Sequence, residues 1–261
     1  MKRTLTKIDF SSYPEKIVQY LKNAEIYDSS CSPEAKVLFI DKDCGYYLKT
    51  AMSGSLSDEV EMTRYFNSKG LGSAVVEYIS GDRDYFLTER VRGEDATYAT
   101  YIEDPMRLTD TLAQSLRMLH ETDFFDCPKK DRTGDYLKRA GENYKSGQYD
   151  TSYIMPSLSS LGVDQAWDYI CKNSKFLKNE VLIHGDYCLP NIMLDDWRLS
   201  GFIDLGFAGV GDRHVDLFWG AWTLAFNLKT DKYRERFFDA YGRDKLTPEI
   251  IDLISAIEVF G

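Results

Sequence analysis

The chain has 261 residues, 43% of them hydrophobic and 28% charged, and carries a formal net charge of −10. Such a length suits one large domain or two modest lobes, with a core that needs no covalent staples. The acidic field disfavours nucleic acid and anionic membrane surfaces and favours a cationic small molecule.

Reading along the chain, the N-terminal residues are charged and no apolar run follows them. Neither a signal peptide nor a transmembrane helix is expected, and a cytoplasmic location follows from that expectation. Ser12-Tyr13-Pro14-Glu15 reads as a capping box that opens a helix with Ile17, Val18 and Leu21 as its apolar stripe. Strands are predicted over 24–27, 36–40 and 46–50, the last two joined by the Asp41–Gly45 turn chemistry. A helix over 57–69 follows and stops at Gly70. Two more strands are predicted over 74–79 and 85–91, with Gly81-Asp82-Arg83-Asp84 between them.

Past Arg92-Gly93 the pattern turns helical. Asp104-Pro105 opens a helix whose Leu108, Leu112, Leu116 and Leu119 recur at helical spacing. Another helix is expected over 163–172, short strands over 181–183, 191–194 and 199–203, and helices over 214–228, 232–241 and 247–260. The pattern is α+β: a small, mostly antiparallel β-rich lobe over 1–92, then a larger helical lobe over 93–261. Five cysteines, an odd number with no Cys-x-x-Cys pair, speak for reduced thiols and against a zinc site.

One motif carries chemistry. His184-Gly185-Asp186-Tyr187-Cys188-Leu189-Pro190-Asn191 is followed by an apolar strand, a turn, a second strand and Asp204-Leu205-Gly206. Phosphoryl transfer needs this set of parts: one carboxylate to take the proton of the attacking hydroxyl, and an amide with a second carboxylate to hold Mg²⁺ against the phosphates. Asp186 and Asn191 lie on one loop, and Asp204 begins a second. Any one of these residues alone would read as a cap or a turn residue.

On these residues the sequence resembles the aminoglycoside phosphotransferase family, most strongly over 181–217. The family shares the bilobal protein-kinase-like fold. Gly185 sits where protein kinases usually carry Arg, Leu205 where they usually carry Phe, and no Ala-Pro-Glu segment follows, so a protein substrate is not expected. The resemblance implies that Asp186 is the catalytic residue contacting the acceptor hydroxyl. Asn191 and Asp204 would be the Mg²⁺ ligands, and ATP or GTP the phosphate donor. His184 would be structural, and Asp216 would brace the catalytic loop.

Lys49, at the end of a strand, would reach the nucleotide phosphates with Glu59 as its carboxylate partner. Glu59 shares a helix face with Met62, Thr63 and Phe66, whereas its competitor Glu61 would face solvent. Tyr47 would stack on the base, and backbone groups of Glu89 and Val91 would bind its edge. The ending Glu258-Val259-Phe260-Gly261 resembles that of the 3′-phosphotransferase branch. It implies Glu258 on an ammonium group of the acceptor, flanked by Phe260 with the terminal carboxylate.

The segment 146–162 departs from that branch, because Asp150 is its one acid. Asp164 and Asp168 are weaker candidates nearby. His120 reads as a helix-end residue, and Trp219, Trp222 and Phe226 read as core. The function expected is phosphate transfer from a nucleoside triphosphate to a hydroxyl of an aminoglycoside. The alternative is a same-fold kinase for choline, homoserine, a sugar or another antibiotic. A kinase-shaped binding module without activity would not need the full set of Lys49, Glu59, Asp186, Asn191 and Asp204.

Overall fold

The computed structural model describes residues 3–31 and 35–261. Its strands, in chain order, are β1 (Thr4–Leu5), β2 (Glu25–Asp28), β3 (Lys36–Asp41), β4 (Tyr46–Met52), β5 (Val75–Ser80), β6 (Arg83–Glu89), β7 (Glu94–Asp95), β8 (Val181–Ile183), β9 (Ile192–Asp195), β10 (Arg198–Phe202) and β11 (Gly209–Gly211). The helices are α1 (Glu15–Leu21), α2 (Ser57–Ser68), α3 (Ala99–Ile102), α4 (Pro105–His120), α5 (Arg132–Ser146), α6 (Val163–Asn173), α7 (Arg213–Leu228), α8 (Arg234–Tyr241) and α9 (Pro248–Glu258). Among the described residues, no helix is long and apolar enough to cross a membrane.

Packing divides the chain into two compact units. One holds the residues through Ala99 together with Pro190–Gly206; the other holds Thr100–Leu189 with Phe207–Gly261. The division is discontinuous, whereas the sequence suggested a single junction at 92/93. Strand pairing explains the difference. β9 pairs with both β10 and β7, and the Phe202 amide donates to the Leu71 carbonyl at 2.7 Å. Gly93 makes the close approach possible, since at φ +88° a Cβ would collide with the Leu194 carbonyl.

The first unit is built on a six-stranded antiparallel sheet ordered β1-β2-β3-β4-β6-β5. Successive side chains on a strand point to opposite faces. Leu38, Ile40, Leu48 and Leu87 therefore pack with Ile17 and Leu21 of α1. Val37, Tyr47, Lys49, Phe86 and Thr88 are left on the other face. α1 starts two residues later than the capping box suggested. Pro14 is its N-cap and makes no side-chain cap, because Ser12 belongs to a short 3-10 turn that Asp9 caps instead.

Asp84 organises the chain ahead of α2. Fully buried, it accepts from the amides of Gly54 and Leu56, both at 2.9 Å, and from the hydroxyls of Ser80 (2.6 Å) and Tyr78 (3.1 Å). Burial opposes its charge, but these donors outweigh it and hold the carboxyl below its ordinary value. Asp84→Leu should strand both amides and lower stability by about 3 kcal/mol, read as a reduced Tm. An unchanged melting curve would remove this role.

In the second unit α4 follows its sequence pattern. Asp104 accepts from the Arg107 amide, and Leu108, Leu112, Leu116 and Leu119 are all fully buried. β8 pairs with β11; α4 and α7 pack on β8, and α5 packs on β11.

Candidate active site

A cavity of about 220 Å³ opens within the first unit, lined by Tyr47, Lys49, Glu59, Thr88, Glu89, Val91, Asn191 and Asp204 among others. Alternation along β4 aims Tyr47 and Lys49 into it. The register sets Lys49 opposite Phe86 and Tyr47 opposite Thr88. Lys49 Nζ donates to Glu59 Oε2 and to Asp204 Oδ1, both at 2.7 Å. Burial alone would depress the ammonium, yet the two carboxylates outweigh it and raise its pKa, so Lys49 is charged. Burial also pushes the Glu59 carboxyl up, with the Lys49 charge opposing. Glu59 is buried on α2 while Glu61 is exposed, as the helix face predicts.

Tyr47 packs its ring 5.2 Å from Phe39 and accepts a hydrogen bond from Arg3 at 2.8 Å. The Glu89 amide already donates to the Ala74 carbonyl at 3.0 Å, which leaves the Glu89 carbonyl as the group to address a ligand.

Asn191 and Asp204 reach the cavity from either side of the β9–β10 hairpin. The Ile203 amide donates to the Asn191 carbonyl at 3.1 Å, which ties the two segments together. Asp204 has φ +60°, in a region that Asp tolerates better than most residues, and its side chain is half exposed beside Lys49. A side-chain amide and a carboxylate are hard oxygen donors, which fits Mg²⁺ shared with phosphate oxygens. Among the described residues no group of three or more His, Cys, Asp or Glu side chains could hold a metal unaided. The fit therefore depends on oxygens that a nucleotide would bring.

The second unit carries the loop with Asp186. Asp216, fully buried on α7, accepts from the amides of His184 (2.7 Å) and Gly185 (2.8 Å). This is the bracing expected of it. The Asp186 amide donates in turn to His184 Nδ1 at 3.3 Å. Gly185 has φ +82°, and a Cβ there would collide with the Phe207 carbonyl, so an Arg would not fit this loop.

His120 is a positioning residue that the sequence reading missed. Its Nε2 lies 3.1 Å from Asp216 Oδ2 and its Nδ1 2.8 Å from the Tyr241 hydroxyl. A carboxylate only accepts, so Nε2 carries the proton and Nδ1 accepts from Tyr241. Burial lowers the imidazole pKa and keeps the ring neutral. The i, i+4 run on α4 was visible in sequence, but its partners lie 96 and 121 residues away.

The two acceptor candidates need correction. Phe260 is 1% exposed and packs edge-on against Tyr144 and Trp167. Its carbonyl is a peptide group followed by Gly261, and it accepts from the Asn143 amide nitrogen at 2.8 Å. Phe260 is therefore core, without a terminal carboxylate. Glu258 is also buried, at 4% exposure, where Tyr136 donates at 2.6 Å and Trp219 Nε1 at 2.8 Å. Asp164 accepts from the Tyr144 hydroxyl at 3.0 Å, and Asp164 and Asp168 are both exposed on α6.

Burial pushes the Glu258 carboxyl up to about 7 from an ordinary 4.5, against the Tyr136 and Trp219 donors that favour its charge. The folded chain then binds the proton more tightly than the unfolded one. The resulting stability is full below 4.5 and lost as pH rises through about 7. Wild type should lose on the order of 3 kcal/mol relative to Glu258→Gln between pH 4 and pH 8. Parallel unfolding curves for the two proteins across that range would contradict the shift.

A larger cavity, about 690 Å³, lies within the second unit, and Glu180, Asp212, Arg213 and His214 in its lining are already engaged. Arg213 donates to Glu180 at 2.6 Å, and Asp212 accepts from His214 and the Lys178 amide.

The antiparallel sheet with its paired lysine and the braced Asp186 loop define a protein-kinase-like phosphotransferase. The chain belongs to the phosphotransferase enzyme family, whose model matches residues 32–251. It is 49% identical over 256 residues to a Lactococcus lactis protein named "Probable aminoglycoside 3'-phosphotransferase", covering 98% of this chain and 97% of that one. An aminoglycoside 3′-phosphotransferase of Niallia circulans is 26% identical, with 95% and 97% covered. Among solved structures, an aminoglycoside 3′-phosphotransferase of type VIII superposes with a TM-score of 0.78 at 21% identity, covering 96% of each chain. An aminoglycoside phosphotransferase of Streptomyces rimosus, solved with ADP and streptomycin, gives 0.66 at 20% identity, with 86% and 90% covered.

Proposed function

We propose that this enzyme transfers the γ-phosphate of ATP or GTP to a hydroxyl of an aminoglycoside, as its 3′-phosphotransferase relatives are named to do. The observation that carries the reading is the Lys49–Glu59–Asp204 ion-pair set in a cavity that also holds Asn191. A nucleotide base would lie against Tyr47, with its edge on the Glu89 carbonyl and the Val91 amide. Lys49 would turn from Asp204 toward the α- and β-phosphates while Glu59 keeps it aimed.

Asn191 and Asp204 would hold Mg²⁺, which when bound supplies positive charge against the phosphate oxygens. Asp186 orients the acceptor hydroxyl and accepts its proton. The acceptor oxygen forms a bond to the γ-phosphorus as the bond to the bridging β–γ oxygen breaks, and the electron pair leaves on the nucleoside diphosphate. The expected place of action is the cytoplasm, where nucleotide and Mg²⁺ are supplied.

The deciding experiment is a coupled assay of nucleoside diphosphate release with ATP and GTP in parallel. Acceptors are aminoglycosides, choline, homoserine and simple sugars. Aminoglycoside-dependent release supports the reading. Release that depends on choline, homoserine or a sugar instead would replace the acceptor class.

A further inference from the structure

Half-buried aromatic rings gather near Asp186. On α7, Trp219, Trp222 and Phe226 recur at helical spacing. The first two meet edge to face at 5.3 Å, and the last two stack at 5.0 Å with 10° between planes. Tyr153, from the 3-10 turn Thr151–Tyr153, closes onto Trp219 at 5.6 Å and Trp222 at 5.9 Å. These rings are not sealed as a core would be. Tyr153, Trp219 and Trp222 are partly exposed, and Phe226 is 55% exposed. Helical spacing suggested core for Trp219, Trp222 and Phe226, but their exposure places them at the surface instead.

Carboxylates border the rings. Trp219 Nε1 donates to Glu258 at 2.8 Å. Burial raises the Tyr153 hydroxyl pKa, and the charges of Asp150, Glu258 and Asp186 raise it further, so the ring edge lies in their common field. The outermost ring already takes a cation, with Lys229 Nζ 4.3 Å from the Phe226 centroid. The segment 146–162 offers a polyamine one acid, Asp150. Aromatic faces attract ammonium groups without a formal charge, and they add shape, because a flat ring selects a ligand that can lie along it.

We propose that Tyr153, Trp219 and Trp222 form an aromatic wall that receives an ammonium-bearing sugar ring of the acceptor, with Tyr153 as the specificity-determining residue. This rests on the aminoglycoside reading of the acceptor. Loss of a ring face should weaken acceptor binding without changing the nucleotide cavity, which none of the three residues lines.

The test uses the full chain with ATP and kanamycin, measuring kcat and KM for wild type, Tyr153→Leu, Tyr153→Phe and Trp222→Leu. Tyr153→Leu should raise the kanamycin KM about tenfold, with kcat and the ATP KM within about twofold. Tyr153→Phe, which keeps the ring, should stay near wild type. An unchanged kanamycin KM in Tyr153→Leu overturns the wall, as does an equal loss in Tyr153→Phe, which would assign the effect to the hydroxyl. If Tyr153→Leu fails to give a cooperative melt, Trp222→Leu decides on the same criterion. Wild type without kanamycin-dependent ADP release overturns the aminoglycoside reading itself, and the wall with it.

Discussion

Asp186→Ala is expected to lower kcat about a thousandfold or more while nucleotide affinity stays close to wild type. The reasoning rests on where the loop gets its shape. Asp216 holds the amides of His184 and Gly185, and the Asp186 amide turns back to His184 Nδ1. None of these bonds uses the Asp186 side chain, so its truncation should leave the backbone in place. The nucleotide cavity is lined by residues of the other unit, and Asp186 is not among them. Asp186→Asn keeps the size and removes the proton acceptor, so its kcat should fall nearly as far. Calorimetric titration of nucleotide gives the affinity and a coupled assay gives the rate. A variant that turns over at the wild-type rate would strip Asp186 of its role.

Much of this molecule was legible in the sequence wherever local chemistry decides. The leucine period of α4, the Asp104-Pro105 start, the turn glycines and the alternation of β4 all act over a few residues, and all appear as read. What stayed hidden depends on distant partners. α5 has Gly134 and Gly141 within it and little apolar surface, so its pattern is faint. Its signals were the caps, Asp131 before it and Gly147 at φ +71° after it. Its buried Tyr136 makes sense only beside Glu258, 122 residues on. Asp84 read as a turn residue because two of its four donors come from the turn ahead of α2, some thirty residues away, and the other two from β5.

The candidate site divides the same way. Asn191 and Asp204 could be named from motif spacing, Lys49 and Glu59 from strand position, helix face and the family resemblance, and the four share one cavity. Phe260 could not be placed, because a terminal aromatic looks alike in sequence whether it faces a ligand or the core.

Asp204→Ala should abolish the Mg²⁺ dependence of nucleotide affinity and lower kcat/KM by about a thousandfold or more. Two separate effects could follow from the loss of this carboxylate, and Lys49 tells them apart. Lys49 would lose one of its two anionic partners. Glu59 remains at 2.7 Å, so the ammonium keeps a charge-assisted bond and stays protonated against the effect of burial. Affinity for nucleotide in EDTA, which reads the lysine and the base contacts, should therefore change little. Affinity in Mg²⁺ should collapse to that EDTA value. Asp204→Asn retains one oxygen donor without the charge and should fall between the two. Titrations of ATP with and without Mg²⁺ supply both numbers for each variant. If Asp204→Ala still gains as much affinity from Mg²⁺ as wild type does, the ion is held elsewhere and the pairing of Asn191 with Asp204 as its ligands is wrong.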